Sequence, residues 1–270
     1  MRSLLKSDFY TIFKNKAVLI NLFIYLGINL LTAVLYIIIK YAVPQMDGFV
    51  DFSFSSMYST FFSFGDSIYV LLILVLTLNT RDFVLGTVRN KVLAGYSREK
   101  VYFSKYISIL ATALVVFFIG FLLSMTIYMS FFGVGSIEAS QVVAISATGF
   151  LHIAFAITFA FFVSIATRNF GASIGIVLGV LIVFTFASSF LIVFTNTVLD
   201  GNYLLDPNSP LIWILKVIPF FQSGYFSGSV VGGGVPLTTT DYVLFTTTTF
   251  SFIILFINLG YLSFKRADLK

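Results

Sequence analysis

The groups able to do chemistry are few and unevenly placed. The 270 residues include no cysteine and one histidine, His152, which excludes thiolate nucleophiles, disulfides and multi-histidine metal sites. Within the apolar runs the ionisable candidates are His152 and Asp66. A secondary carrier places acids or bases inside its spans to bind a coupling ion. Asp66, however, lies fifteen residues before Arg81, roughly 22 Å above it on a helix, and is expected at the outer boundary. His152 is expected to hydrogen-bond a neighbouring helix. No G-x-x-x-x-G-K-S/T phosphate loop is present, nor any Gly-Lys dipeptide, so the chain is expected to bind no ATP itself. The spans also lack the aspartate pair, Ser–His pair or metal cluster that intramembrane proteolysis requires. An enzyme is not expected, and uphill movement of a substrate would draw its energy from another chain.

These groups are positioned by a membrane protein. Hydrophobic residues make up 59% and charged residues 10% of the chain, and its mean hydropathy is +1.02, whereas soluble domains carry about 25% charge. A hydrocarbon core of about 30 Å needs about 20 helical residues. Six stretches qualify: Ala17–Ile39, Phe61–Thr80, Tyr106–Phe132, Val142–Ala166, Phe170–Thr197 and Tyr242–Phe264. Their continuous apolar character, without the alternation of barrel strands, predicts an all-α integral membrane bundle forming a single domain over 1–270.

The positive-inside rule orients it. Fourteen of the sixteen cations fall in the amino-terminal segment, the loop after the second span, the turn at Arg168 and the tail; only Lys40 and Lys216 fall on the other side. Both termini are therefore expected inside, on a face of net charge +10 against −5 outside. The start resembles a signal peptide in charge, but the first span is too long for one and no small-residue cleavage site follows. It is expected to remain as an uncleaved anchor.

Before the first span, Leu5, Phe9, Ile12 and Phe13 recur at helical spacing, predicting an interfacial helix over 1–16. In the cytoplasmic loop 81–105, Val84, Val88, Val92 and Tyr96 fall at successive i, i+4 positions. They predict an amphipathic helix over Gly86–Tyr96, near 20 Å long, lying along the inner face. Gly95 suits its C-terminal stop and Ser97 the N-cap of the next helix, with Glu99 in that helix's first turn. The outer segment 198–241 holds an apolar run from Leu211 to Gln222, too short to span and interrupted by Pro219. It predicts a hydrophobic cap or re-entrant pair whose broken backbone is satisfied by buried protein contacts. Gly232, Gly233 and Gly234 follow as a flexible joint. On the first span, Asn21, Tyr25, Asn29, Thr32 and Tyr36 form a polar stripe suited to interhelical hydrogen bonding.

Taken together, these features resemble the permease subunits of ABC type-2 exporters along essentially the whole chain. The most specific part is the loop after the second span. In that family an acidic residue, a glycine, a basic helix, a small-residue break, Ser-Arg and a lysine opening the third span form the coupling helix. Here those positions are Asp82, Gly86, Arg89 to Leu93 with Asn90 and Lys91, Gly95, Ser97-Arg98 and Lys105; many relatives have Glu where Asp82 stands. The resemblance implies a separate ATPase subunit that binds ATP and Mg and pushes on the Gly86–Tyr96 helix, docked through Arg89, Lys91 and Arg98. Contact of the same cations with anionic membrane lipids is compatible with that role.

It further implies a second permease copy, as homodimer or heterodimer, with the second and fifth spans lining the path between them. Gly171, Gly175 and Gly179 form overlapping G-x-x-x-G repeats on the fifth span, fitting either a dimer or pathway surface or packing within one subunit. Phe61, Phe62 and Phe64 on the second span, and Phe184, Phe186, Phe190 and Phe194 on the fifth, offer apolar surface for a pathway or for lipid. A hydrophobic or amphipathic exported substrate suits such surfaces, and relatives export antimicrobial and cytolytic peptides such as phenol-soluble modulins and lantibiotics. Nucleic acid is not an expected partner. A membrane scaffold or sensor that recruits a partner through its basic loop, or an exporter of a lipid, drug or ion, is the alternative.

Overall fold

Apolar runs in lipid must satisfy every backbone group internally, which favours helices. The structure, a computed structural model, describes residues 1–42, 67–132, 139–199, 202–205, 210–222, 225 and 238–266. In chain order the elements are α1 (Arg2–Phe13), α2 (Lys16–Ala42), α3 (Ser67–Val84), α4 (Thr87–Leu93), α5 (Arg98–Phe132), α6 (Ala139–Thr167), α7 (Phe170–Thr195), β1 (Asn196–Leu199), β2 (Asn202–Leu205), α8 (Leu211–Val217) and α9 (Thr239–Lys265). Among the described residues α2, α5, α6, α7 and α9 are each long and apolar enough to cross a membrane, and α3 with α4, bent by 56°, makes a sixth candidate. The chain is a multi-pass, all-α integral membrane protein.

Where the residues are described, the expected spans and the observed helices agree, with two corrections. The fifth span ends at Thr195 rather than Thr197, because β1 and β2 pair antiparallel from Asn196 opposite Leu205 to Leu199 opposite Asn202. The helix after Gly86 covers only seven residues, about 10 Å rather than 20 Å. Phe61, Phe62, Phe64, Asp66 and the three glycines at 232–234 lie outside the described residues.

The centre of the bundle is α6, packed on α9, α3, α7 and α5, with α3 held between α6, α2, α5 and α7. Leu71, Leu72, Val75 and Leu76 of α3 are shielded completely. Over 68–80 the second span is thus packed largely inside this subunit. Helix association in lipid relies on close packing and interhelical hydrogen bonds, and both are visible here. The polar stripe of α2 turns inward: Asn21, Tyr25 and Asn29 are buried, Asn21 Nδ2 donates to the Val70 carbonyl at 3.0 Å, and Ser124 Oγ donates to Asn29 Oδ1 at 3.4 Å. Gly120 of α5 lets the Tyr25 ring lie so close that an added methyl would collide with it.

In the outer segment, the described residues 210–222 pack on the bundle as a hydrophobic cap. After α8, Ile218 is extended (φ −92°, ψ 115°), and residues 219–222 turn helical again. Phe220 enters the bundle, its ring centroid 4.9 Å from Phe155, 5.0 Å from Phe159 and 4.7 Å from Phe184. The break leaves carbonyls without helical partners, and buried Gln222 answers it. Its Nε2 donates to the Lys216 carbonyl at 2.7 Å and to Thr248 Oγ1 at 2.8 Å, while Oε1 accepts from Thr249 at 2.8 Å. His152 hydrogen-bonds the Pro219 carbonyl, a structural contact of the kind expected for it. Outside this cap, Lys216 pairs with Asp241 at 2.6 Å, and Asp241 also closes a capping box with Thr238 at the start of α9. Burial alone would lower the Lys216 pKa, but the hydrogen bonds and charges of Asp241 and Tyr225 raise it, so the ammonium persists at neutral pH.

Candidate functional site

The cation-rich ends of α1, α3, α4, α5 and α9 converge at one end of the bundle, which the charge rule makes the inner face. Two glycines shape the short helix there. Gly86 has φ +65°, ψ 12° and ends α3 while opening α4; Gly95 has φ +89° just past the other end. Both lie in the left-handed region that favours glycine. At the C-terminus the Gly95 N–H reaches the Val92 carbonyl at 3.1 Å and the Tyr96 N–H reaches the Lys91 carbonyl at 3.3 Å, the Schellman arrangement. Ser97 then sits at the N-cap of α5, its Oγ accepting from the Lys100 N–H at 3.4 Å, with Glu99 in the first turn. The stop, cap and acidic first turn read from sequence are all in place.

The apolar stripe behaves differently from its expectation. Only Val88 is fully buried and Val92 is half-buried; Val84, Leu85, Leu93 and Tyr96 are exposed. Val84 belongs to α3, and the left-handed Gly86 rotates the residues after it, so the i, i+4 register does not carry across the break.

Two ion pairs tie the helices together at this end. Asp82 and Lys105 meet at 2.8 Å, joining the end of α3 to α5, and the Lys105 ammonium also donates to the Asn79 carbonyl at 3.2 Å and lies 5.2 Å from the Phe83 ring centre. Thr87 Oγ1 donates to the Asp82 carbonyl at 3.1 Å, bridging the bend. Asp8 of α1 is buried; one oxygen pairs with Lys91 of α4, and the other accepts from Ser104 Oγ of α5 at 2.6 Å. Arg98 donates to the Lys265 carbonyl at 2.6 Å, joining α5 to the end of α9.

Three cations were expected to face a partner, and the structure separates them. Lys91 turns inward to Asp8 and Arg98 toward α9, because each finds an oxygen acceptor within the chain. Arg89 remains exposed, with Asn90 and Leu93 exposed beside it. The sequence pattern did not single out Asp8 or Ser104. The buried face of α1 is Leu4, Asp8 and Ile12, whereas Phe13 is exposed and Leu5 and Phe9 are half-buried. The available signal was an acid spaced four residues from each of two aliphatics, Leu4 and Ile12.

On α7 the buried side is Ser173, Val177, Leu181, Ser188 and Thr195. The opposite side is open: a methyl added at Gly175 or Gly179 meets nothing within 4 Å, one at Gly171 meets only Asn169 Oδ1 at 3.4 Å, and Phe186 and Phe190 are 65% and 63% exposed. Among the described residues, nothing packs closely against Gly175 or Gly179. Phe184 instead stacks on Phe220.

Among the described residues no group of three or more metal-ligating side chains comes together. A comparison with curated protein sequences finds no match. Residues 16–270 match the family described as protein of unknown function DUF2705, and the chain belongs to that family.

Proposed function

We propose that this chain is the membrane permease subunit of an ABC-type exporter, driven by a separate ATPase subunit that holds ATP and Mg. The observation that carries the reading is the mounting of α4. A seven-residue helix with Arg89, Asn90 and Leu93 exposed is fixed to α1 by Asp8–Lys91. Through Gly86 it is continuous with α3 and through Gly95 and Ser97 with α5, and the Asp82–Lys105 pair clamps those two neighbours together. A push on its exposed side would displace the inner ends of α3 and α5 together, since packed helices transmit displacement rather than absorb it. A chain without a phosphate loop but with such a lever suits coupling to an external motor.

In this reading the open side of α7, with Gly171, Gly175, Gly179, Phe186 and Phe190, faces a second permease copy, identical or related, and the path between copies. Its apolar, charge-free character fits a hydrophobic or amphipathic substrate, for which an antimicrobial or phenol-soluble-modulin-like peptide is the proposed class. The site of action is a bacterial plasma membrane.

The test is affinity purification of the tagged chain from its own membranes, followed by peptide-export assays on Arg89→Glu. The proposal expects a P-loop ATPase to co-purify with the wild type. It expects Arg89→Glu to reduce export at least about tenfold, as charge reversal at a docking contact costs more than one decade. Purification of an intact multimer without any ATPase, or normal export by Arg89→Glu, would favour the scaffold reading.

A further inference from the structure

A cavity of about 530 Å³ opens between α1, the inner end of α3, α4 and α5. Four cations, Lys14, Arg81, Lys91 and Lys105, and two carboxylates, Asp8 and Asp82, line it. The carboxylates are taken by Lys91 and Lys105. Lys14 and Arg81 have no carboxylate partner among the described residues, which leaves two positive charges uncompensated. Lys14 is held 4.5 Å above the Tyr10 ring centre, and Arg81 donates one N–H to Asn15 Oδ1, leaving four of its five N–H donors for an anion. Tyr10, Asn15 and Asn90 add neutral hydrogen-bonding groups to the wall.

A second, shallow groove of about 340 Å³ adjoins the cavity and shares Arg81 and Leu85 with it. Its remaining wall is Thr77, Thr80 and Val84 on the same side of α3, and Phe170 at the start of α7. From Leu85 to Thr77 the groove follows α3 for about 12 Å toward the membrane interior. A basic, hydrogen-bonding chamber thus meets an apolar channel at one arginine, placed where the cation-rich end of the bundle meets the membrane. Val84 and Leu85 are 80% and 57% exposed there, apolar surface that a lipid chain would cover.

We propose that this composite site binds an anionic phospholipid of the inner leaflet, its phosphate held by Arg81 and Lys14 and one acyl chain laid along the Thr77–Leu85 groove against Phe170. Basic pockets between helices on the cytoplasmic side are suited to such headgroups. The lipid would contact α1, the end of α3 and α4 at once, so its occupancy would set how firmly the short helix is held. The site does not rest on the exporter reading, and either can fail without the other.

The experiment is native mass spectrometry of the full chain in neutral detergent, titrated with phosphatidylglycerol, with phosphatidylcholine of the same chains, with dihexanoyl phosphatidylglycerol and with inorganic phosphate. One basic residue beside an anionic lipid surface contributes about fivefold in binding. The site predicts tighter retention of phosphatidylglycerol than phosphatidylcholine, by at least about tenfold for two cations. Arg81→Gln and Lys14→Gln should each weaken it about fivefold, and Lys6→Gln, on α1 but outside the cavity, should leave it unchanged. Phe170→Ser should weaken the long-chain lipid but not the dihexanoyl form. Equal retention of the two headgroups, or an effect of Lys6→Gln as large as that of Lys14→Gln, would overturn the site. Inorganic phosphate binding as well as the long-chain lipid would overturn the lipid assignment in favour of a soluble phosphate. Because Arg81→Gln removes the contact to Asn15, Lys14→Gln supplies the variant without that structural side effect.

Discussion

Asp82→Ala is expected to destabilise the protein by about 3–5 kcal/mol, the usual cost of removing one partner from a buried ion pair. The large effect follows from which charge is left behind. The Lys105 side chain is 5% exposed against 24% for Asp82, so losing the carboxylate leaves a buried ammonium with the Asn79 carbonyl as its remaining oxygen partner. Lys105→Met, by contrast, leaves a carboxylate with access to solvent and should cost less. The double variant Asp82→Ala/Lys105→Met should recover most of the loss, since replacing both partners of a buried pair by apolar groups is often neutral. Asp82→Glu keeps the charge and should be the mildest change. Reversible unfolding in mixed micelles measures all four, and additive single-site losses in the double variant would show that the pair is not coupled.

The second large effect is expected at Asp8. Its carboxylate holds Lys91 and Ser104, so Asp8→Ala leaves one buried hydroxyl without its acceptor and frees Lys91, which is 21% exposed and can turn to water. The expected stability loss is about 1–3 kcal/mol, smaller than at Asp82 but concentrated in α1 and α4. Hydrogen exchange should therefore accelerate over 2–13 and 87–93 while α6 keeps its protection, as in opening of a local unit. Lys91→Ala should produce the same pattern, with a coupling energy of about 0.5–3 kcal/mol between the two in a double-mutant cycle. Uniform acceleration across the bundle would show instead that Asp8 serves global packing.

The helices themselves were legible because lipid imposes a length and an apolar content that composition reports directly. The turn chemistry was legible too: Gly95 and Ser97 act through local backbone rules, and both do what their residue types dictate. The outer break was legible as a requirement, since an interrupted apolar run must satisfy its carbonyls, although nothing marked Gln222 as the residue that does so. The rest depended on contacts distant in sequence. The partner of Asp8 lies 83 residues away, so an apolar-face argument assigned α1 to Leu5, Phe9, Ile12 and Phe13 and left the acid outside. The length of α4 was overestimated because an i, i+4 pattern continues in the letters across Gly86 even though the backbone turns there. The small residues of α7 fit either an internal or an external contact, because a G-x-x-x-G spacing serves both, and the space beside Gly175 and Gly179 is visible only in three dimensions.

The proposed docking of an ATPase on α4 can be probed directly, because the sequence contains no native cysteine. Asn90→Cys places a single thiol on the exposed side of that helix, and Lys40→Cys places one at the opposite end of the bundle as a control. Native membranes carrying either variant are treated with a short thiol–amine cross-linker, with and without ATP. The thiol at position 90 is expected to join a P-loop ATPase in a yield that changes when ATP is added, and the thiol at position 40 is expected to give no such adduct. Cross-linking from position 90 only to other classes of protein, or the same ATPase yield from both positions, would contradict the claim.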